Sequence, residues 1–178
     1  EHVVVTATHL AGGVSAQDTN VAVIAAGQIA ARQPSSVVEL LRDLPGVYVQ
    51  QSGGRGSVVS LFTRGAKPNF TLVLLDGVKA NDPTNKRGGS SAFSTLDLND
   101  IQRVEMVRGP ASAVYGSDAV GGVINIITRR GTPDLQAGLI AEGGSFGYWR
   151  AGGHVSGPIG GATANLGLSY NDSGMPVA

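Results

Sequence analysis

The segment from Arg103 to Arg130 constrains the fold of this chain more than any other. Residues 103–107 alternate polar and apolar side chains, which predicts a β-strand. Gly109-Pro110 ends that strand, because glycine tolerates positive φ and proline presets φ at about −65°. The β-branched run 123–128, interrupted only by Asn125, favours a strand buried on both faces. The glycine-rich stretch between them predicts a tight turn and a short linker where backbone segments approach closely.

Composition limits the classes of protein to consider. The chain has 178 residues, 13 basic and 13 acidic residues, and no cysteine. The zero net charge disfavours nucleic-acid binding, and the lack of cysteine excludes disulfide scaffolds and thiolate zinc sites. The chain contains no apolar run of about 18 residues, so the sequence predicts no transmembrane helix. No signal peptide stands at Glu1, so we expect the mature form if the protein is exported.

The first half of the chain predicts short helices and strands. A strand over 19–24 precedes helices over 25–32 and 35–44, the second of which Ser35 or Ser36 can cap. Pro45-Gly46 breaks that helix. Strands follow over 48–50, 58–64 and 72–75, the last ending in the hairpin turn Asp76-Gly77. Polar loops occupy 51–57 and 81–93.

After Gly131 the pattern changes to long alternating strands. Apolar residues alternate with polar or small ones over 135–142, 149–156 and 162–170, with turns at 143–145 and 157–161. Strands of about 8–10 residues with this alternation are typical of transmembrane β-barrels, and also of an amphipathic meander on a soluble core. Aromatic residues near the strand ends suit an interfacial girdle; they are Phe146, Tyr148, Trp149 and Tyr170.

Catalytic and metal-binding patterns are weak. Gly143–Gly147 reads G-x-S-x-G, but a nucleophile elbow needs a helix after Ser145, where a strand-like segment follows. Gly54-Arg55-Gly56 lacks the third glycine of a dinucleotide loop. The histidines, His2, His9 and His154, have no metal-ligand spacing. We predict no catalytic residue, no metal site and no cofactor, and therefore not an enzyme.

Four segments resemble the plug domain of TonB-dependent outer-membrane receptors, which import scarce metal chelates and cofactors into Gram-negative bacteria. Val104–Gly116 is similar to the family's V-E-hydrophobic-hydrophobic-R-G-P-x-S-A-hydrophobic-Y-G element, and Ala119–Thr128 to its A-hydrophobic-G-G-hydrophobic-hydrophobic-N-hydrophobic-hydrophobic-T element. Leu40–Val47 matches L-L-x-x-L-P-G-V, and 73–78 reads VLLDGV, another family hallmark.

The resemblance implies an α+β fold: a TonB-dependent receptor plug (a small mixed sheet with short helices) followed by the first antiparallel strands of a transmembrane β-barrel. It implies a TonB box and linker over 1–13, a plug domain over 14–130 and barrel strands over 131–178. Receptors of this family close a barrel with about 22 strands, so we expect an N-terminal part of a larger receptor in the outer membrane. Its plug would fill the lumen, with the N-terminus towards the periplasm.

Partners follow from the same resemblance. The TonB box reads acidic-x-hydrophobic-hydrophobic-Val-Thr-Ala, and the matching residues are Glu1, His2, Val3, Val4, Val5, Thr6 and Ala7. Such a strand adds to a sheet edge of its partner through backbone hydrogen bonds, and the implied partner is the periplasmic domain of TonB. Read alone, the stretch is an edge strand or a frayed terminus. Outer-membrane lipid would contact the barrel, and unpaired strands would favour a strand-exchanged oligomer.

Arg64 and Arg108, each followed by glycine, match positions where the family pairs plug arginines with barrel-wall glutamates. Guanidinium forks bind carboxylates bidentately, so arginine suits such a latch. The wall glutamates are not in this chain. Both arginines are therefore expected to be exposed, or paired with Glu105 or Asp118.

In this family the plug loops help to bind the ligand, which by position implies 51–57 and 81–93. Their candidate ligand-binding residues are Gln51, Ser52, Arg55, Asn81, Asp82, Asn85, Lys86, Arg87, Ser90 and Ser91. The cations suit an anionic chelate such as a ferric siderophore or haem, and the amides and hydroxyls suit a corrinoid such as vitamin B12. The alternative is a self-standing soluble ligand-binding module, non-enzymatic, in which 135–170 packs on its own core.

Overall fold

The computed structural model describes residues 20–53, 57–81, 93 and 96–172. The chain divides after Thr128 into two compact units. Across the described ranges, no helix is long and apolar enough to cross a membrane.

The first unit is built on a five-stranded mixed sheet and a separate hairpin. Its strands are β1 (Val21–Ala25), β2 (Val47–Gln51), β3 (Val59–Thr63), β4 (Thr71–Leu75), β5 (Val78–Lys79), β6 (Ile101–Arg108) and β7 (Gly122–Thr128). The sheet has the order β1-β6-β7-β4-β5, while β2 pairs with β3. Within the sheet β4 and β7 run parallel, and the other neighbours are antiparallel. The predicted α+β class is confirmed.

Strand β7 lies in the middle of the sheet, as its β-branched composition predicts. Residues 122–127 are all buried. Neighbouring strands satisfy both of its edges, and side chains cover both of its faces. This strand therefore separates two cores.

The larger core lies between one face of the sheet, the β2–β3 hairpin and two helices, α1 (Ala26–Arg32) and α2 (Val37–Arg42). Its fully buried members include Leu40, Leu41, Leu61, Val104, Met106 and Ile124. The predicted cap of α2 is confirmed, because the Ser36 hydroxyl oxygen accepts the Glu39 N–H at 3.2 Å. The predicted break after α2 is confirmed as well, with Gly46 at φ +80°.

The segment between β6 and β7 holds more structure than the predicted tight turn and linker. A one-turn helix, α3 (Ser112–Tyr115), is followed by a 3-10 turn over Ser117–Ala119. Tyr115 and Ala119 pack on the opposite face of the sheet in a smaller core with Leu72, Leu74 and Val123. A single helical turn is too short to display a 3.6-residue period, so the sequence pattern could not reveal it.

The second unit is an antiparallel meander of β8 (Gln136–Gly143), β9 (Trp149–Ile159) and β10 (Ala162–Asp172). The three predicted strands are confirmed, but the predicted turn over 157–161 is wrong, because only Gly160-Gly161 separate β9 from β10. Pro158 is therefore part of β9. It lies beyond Ser156, where the described pairing with β8 stops, so its missing N–H costs no ladder bond on that side.

The meander exposes its apolar face, while two residues of its polar face are buried. The register aligns the apolar sets of the three strands on one face, yet Leu139 and Leu168 on that face are 95% and 74% exposed. Arg150 and Ser156 on the polar face are only 5% and 4% exposed. The large exposed residues of the apolar face are Leu135, Leu139, Trp149, Val155, Ile159, Leu166, Leu168 and Tyr170.

Candidate functional site

Arg64 is held in an unusual backbone conformation at the end of β3. Its φ is +53°, that of Gly65 is +77°, and the Ala66 N–H donates to the Thr63 carbonyl at 3.0 Å. Two successive positive φ values with this hydrogen bond are typical of a type I′ turn, whose first position favours Asn, Asp or Gly. An arginine there is strained by about 1–2 kcal/mol.

The side chain of Arg64 spans two other motif turns. A Cβ built on Gly46 would lie 3.9 Å from Arg64 Cγ, and one built on Gly109 would lie 3.9 Å from Arg64 Nη1. The Arg64 N–H also donates to the Gly46 carbonyl at 2.9 Å. Arg108 precedes Gly109 at the end of β6 and is half-buried. The structure thus brings the two predicted latch arginines to the same end of the sheet.

Gly121 and Gly122 permit the close backbone approach that the sequence predicts. A Cβ on Gly122 would lie 2.7 Å from the Val107 carbonyl oxygen, and one on Gly121 would lie 3.0 Å from that of Phe70. The Gly121 N–H donates to the same Phe70 oxygen at 2.8 Å. These glycines therefore let neighbouring backbone segments pack closely at the end of the sheet where Arg64 and Arg108 lie.

Glu105, one of the two carboxylates predicted to pair with the latch arginines, lies inside the first unit. Its side chain is fully buried on β6, and Arg103 Nε donates to its Oε1 at 2.7 Å. The pKa of Tyr115 is raised, mainly by burial of its side chain and secondly by the negative charge of Glu105. Glu105 therefore lies close to the segment that carries the Y-G motif. Its role in a latch with Arg64 and Arg108 stays a prediction.

Asp118, the other carboxylate considered for the arginines, forms an ion pair with Lys79. That hydrogen bond lowers the pKa of Asp118. The pair joins the 3-10 turn after α3 to β5, with both side chains about half exposed.

The described candidates for ligand binding fall on two different elements. Gln51 ends β2 and lines a cavity of about 270 Å³ beside α2, together with Ser35, Glu39 and Arg42. Ser52 is exposed, and its N–H donates to the Val58 carbonyl at 3.0 Å.

Asn81 follows β5 and uses its amide on the edge of β4. The Val73 N–H donates to Asn81 Oδ1 at 2.7 Å, and Asn81 Nδ2 donates to the Thr71 carbonyl at 3.1 Å. Its side chain thus fixes the point where the second predicted loop leaves the sheet. The remaining loop candidates lie outside the described residues, namely Arg55, Asp82, Asn85, Lys86, Arg87, Ser90 and Ser91, as does the predicted TonB box, Glu1–Ala7.

One contact between motifs was not predicted from the sequence. The Asp76 carboxylate accepts the Thr128 N–H at 2.9 Å and the Thr128 hydroxyl at 2.6 Å. In the same turn, Gly77 N–H donates to Asn125 Oδ1 at 3.2 Å, and Asp76 N–H donates to the Ile126 carbonyl at 2.9 Å. The lone polar residue in the buried run, Asn125, was the available signal for this contact.

The described residues hold no group of three or more His, Asp or Glu side chains placed to bind a metal ion. Ser145 lies in a 3-10 turn between two strands, not in the strand-to-helix elbow of a hydrolase. What the described geometry does offer is an exposed guanidinium at Arg64 that can take a carboxylate, and an apolar face on β8–β10.

Comparison with known proteins gives consistent matches. Residues 14–123 match the TonB-dependent Receptor Plug Domain family. The vitamin B12 transporter BtuB of Photobacterium profundum is 41% identical over 140 residues, which cover 79% of this chain and 22% of that protein. The siderophore receptor PirA from Pseudomonas aeruginosa matches with 32% identity and a TM-score of 0.64, covering 87% of this chain and 28% of that one.

The alcaligin outer-membrane receptor FauA from Bordetella pertussis shares the fold, with a TM-score of 0.73 at 23% identity over 93% of this chain and 28% of that one. The chain spans 22% of the length of the BtuB relative.

Proposed function

This chain belongs to the TonB-dependent receptor plug domain family, and we propose that it is the plug and the first barrel strands of an outer-membrane active-transport receptor. The receptor would bind a metal chelate or cofactor and import it with energy from TonB. The relatives named above are transporters and receptors.

The exposed apolar face shared by β8–β10 is the observation that carries this proposal. A soluble module would pack its apolar face on a core, because exposing Leu139 and Leu168 to water forgoes their burial energy. Hydrocarbon is the environment in which an apolar outer face and a polar inner face are both stable. The rings of Trp149 and Tyr170 contact each other at one end of the apolar face, with centroids 4.9 Å apart and a tilt of 36°, as suits a membrane interface.

The proposed latch between the plug and the barrel wall rests on Arg64 and Arg108. The strained backbone of Arg64 lowers the stability of the isolated first unit, but its exposed guanidinium can bind a carboxylate. We assign that carboxylate to the barrel wall of the whole receptor.

The ligand is a corrinoid or a ferric siderophore, by analogy with BtuB and PirA. Gln51 and Ser52 stand at the start of the first proposed binding loop, and Asn81 anchors the start of the second. Energy would enter at Glu1–Ala7, which would add as a strand to the periplasmic domain of TonB.

Binding of the purified chain to a TonB periplasmic domain tests the proposal. Deletion of residues 1–8 should abolish binding, and a chain in which residues 9–16 are scrambled should bind as the original does. Binding that survives the deletion would contradict the TonB-box assignment. Cyanocobalamin and ferric enterobactin are the first ligands to test on the whole receptor.

A further inference from the structure

The turn between β4 and β5 contains the only Asp-Gly pair in the chain, Asp76-Gly77. Among aspartates, those followed by glycine isomerise fastest, because glycine has no side chain to hinder attack by its own backbone nitrogen. Both residues are exposed to solvent, so water reaches the turn.

The chemistry needs two groups to move. The Gly77 nitrogen attacks Cγ of Asp76 in its protonated form, a nitrogen–carbon bond forms, and the Cγ–OH bond breaks. One water leaves, made of that carboxyl oxygen, its proton and the amide hydrogen of Gly77. Water then opens the five-membered succinimide. Cleavage at Cγ restores aspartate, and cleavage at the former peptide carbonyl gives isoaspartate with the chain routed through Cγ. One water leaves and one enters, and nothing is oxidised or reduced.

Both reacting groups are tied to β7. The Gly77 N–H donates to Asn125 Oδ1 at 3.2 Å, and the two oxygens of Asp76 accept from the N–H and the hydroxyl of Thr128 at 2.9 and 2.6 Å. Ring closure requires Cγ to rotate onto the nitrogen, which breaks the bonds to Thr128. It also requires the nitrogen to give up its hydrogen, which breaks the bond to Asn125.

We propose that Asp76 is a latent isomerisation site, held in check by the hydrogen bonds of Thr128 and Asn125 to this turn. Isomerisation would insert a methylene into the turn backbone and move the free carboxylate away from Thr128. The end of β7, where the chain passes from the first unit into Arg129, would lose two hydrogen bonds. Asp76 would therefore isomerise slowly, at the boundary of the first unit. This inference does not depend on the proposed transport function.

The test is the rate of isoaspartate formation at Asp76 in the full chain at neutral pH. Mass spectrometry with electron-transfer fragmentation of the tryptic peptide 65–79 measures it. The folded chain should isomerise at least about tenfold more slowly than the same chain in concentrated urea, because three hydrogen bonds must break first. Equal rates in the folded and denatured chain would overturn the proposal.

A pair of variants assigns the protection to Thr128. Thr128→Val removes the hydroxyl donor and should raise the folded-state rate roughly two- to tenfold, as expected for one lost hydrogen bond, while Thr128→Ser should keep the original rate. Thr163→Val, at an exposed threonine of β10, is the control and should change nothing. Circular dichroism verifies that each variant is folded. An unchanged isomerisation rate in a folded Thr128→Val chain would overturn the role of the hydroxyl. If that variant does not fold, the comparison of the original chain in its folded state and in urea decides the proposal.

Discussion

The guanidinium of Arg64 lies against Gly109, such that a Cβ on that glycine would be 3.9 Å from Arg64 Nη1. The contact joins the turn after β3 to the R-G-P turn after β6, 45 residues further along the chain. It is made by a residue whose own backbone is strained at φ +53°. A domain that needed only stability would place glycine or asparagine at this position.

Arg64→Gly should therefore raise the free energy of unfolding of the chain by about 0.5–1 kcal/mol, because glycine adopts positive φ without strain. Arg42→Gly is the matched control, since it removes an exposed arginine from the last turn of α2 and should cost about 1 kcal/mol. Urea unfolding measures both. A destabilised Arg64→Gly chain would contradict the view that this arginine is kept for something other than stability.

Gly122→Ala should destabilise the chain by about 1–3 kcal/mol, because the added Cβ would lie 2.7 Å from the Val107 carbonyl oxygen. Gly27→Ala is the control: nothing lies within 4 Å of its added Cβ, and in α1 it should stabilise by about 0.5 kcal/mol. Thermal unfolding of the two variants should shift in opposite directions. A shift of the same sign would count against the close packing of β6 on β7.

These positions illustrate what could be predicted from the sequence. Gly109, Gly121 and Gly122 were expected to allow turns and close approaches, since glycine in a run of strand formers has few other uses. The sequence could also predict the face shared by Leu139 and Leu168, because side chains alternate strictly along a strand.

Side-chain contacts between residues far apart in the chain could not be predicted from the sequence. Asp76 looks like an ordinary hairpin residue, and nothing local indicates that its carboxylate meets Thr128 across the sheet. The ion pair of Glu105 with Arg103 and that of Asp118 with Lys79 were missed for a related reason: which carboxylate meets which cation depends on strand order, and strand order is a property of the whole fold. The one-turn helix α3 was too short to show a helical 3.6-residue period in the sequence.

The Lys79–Asp118 pair should contribute a small, pH-dependent stability. The pKa of Asp118 is lowered in the folded chain, so its contribution is present above the unfolded pKa of about 3.9. That contribution is lost as the pH falls through the folded pKa. Since both side chains are about half exposed, Lys79→Met should cost less than about 1 kcal/mol at pH about 7, and the cost should vanish in acid. Lys67→Met, at another exposed lysine, should show no such pH dependence in urea unfolding.

Glu105→Gln should lower the pKa of Tyr115 in the folded chain, because it removes a nearby negative charge. The pKa should stay above that of an ordinary tyrosine, since burial is the larger cause of the rise. Absorbance titration of tyrosinate, with Tyr115→Phe to assign the signal, measures it. An unchanged pKa would mean that Glu105 is not charged beside Tyr115.

The central claim is that the apolar face of β8–β10 lies in lipid, and fluorescence quenching by brominated phospholipids tests it most directly. Trp149 is the only tryptophan of the chain and lies on that face, while Leu168→Trp and Gln136→Trp, each in a Trp149→Phe background, place the probe on the apolar and polar faces. In vesicles that hold the whole receptor, with its tryptophans outside this chain replaced by phenylalanine so that a closed barrel can form, we predict quenching of Trp149 by bromines near the headgroups, of Leu168→Trp by bromines deep in the acyl chains, and little quenching of Gln136→Trp. Equal quenching on both faces, or none on either, would contradict the account.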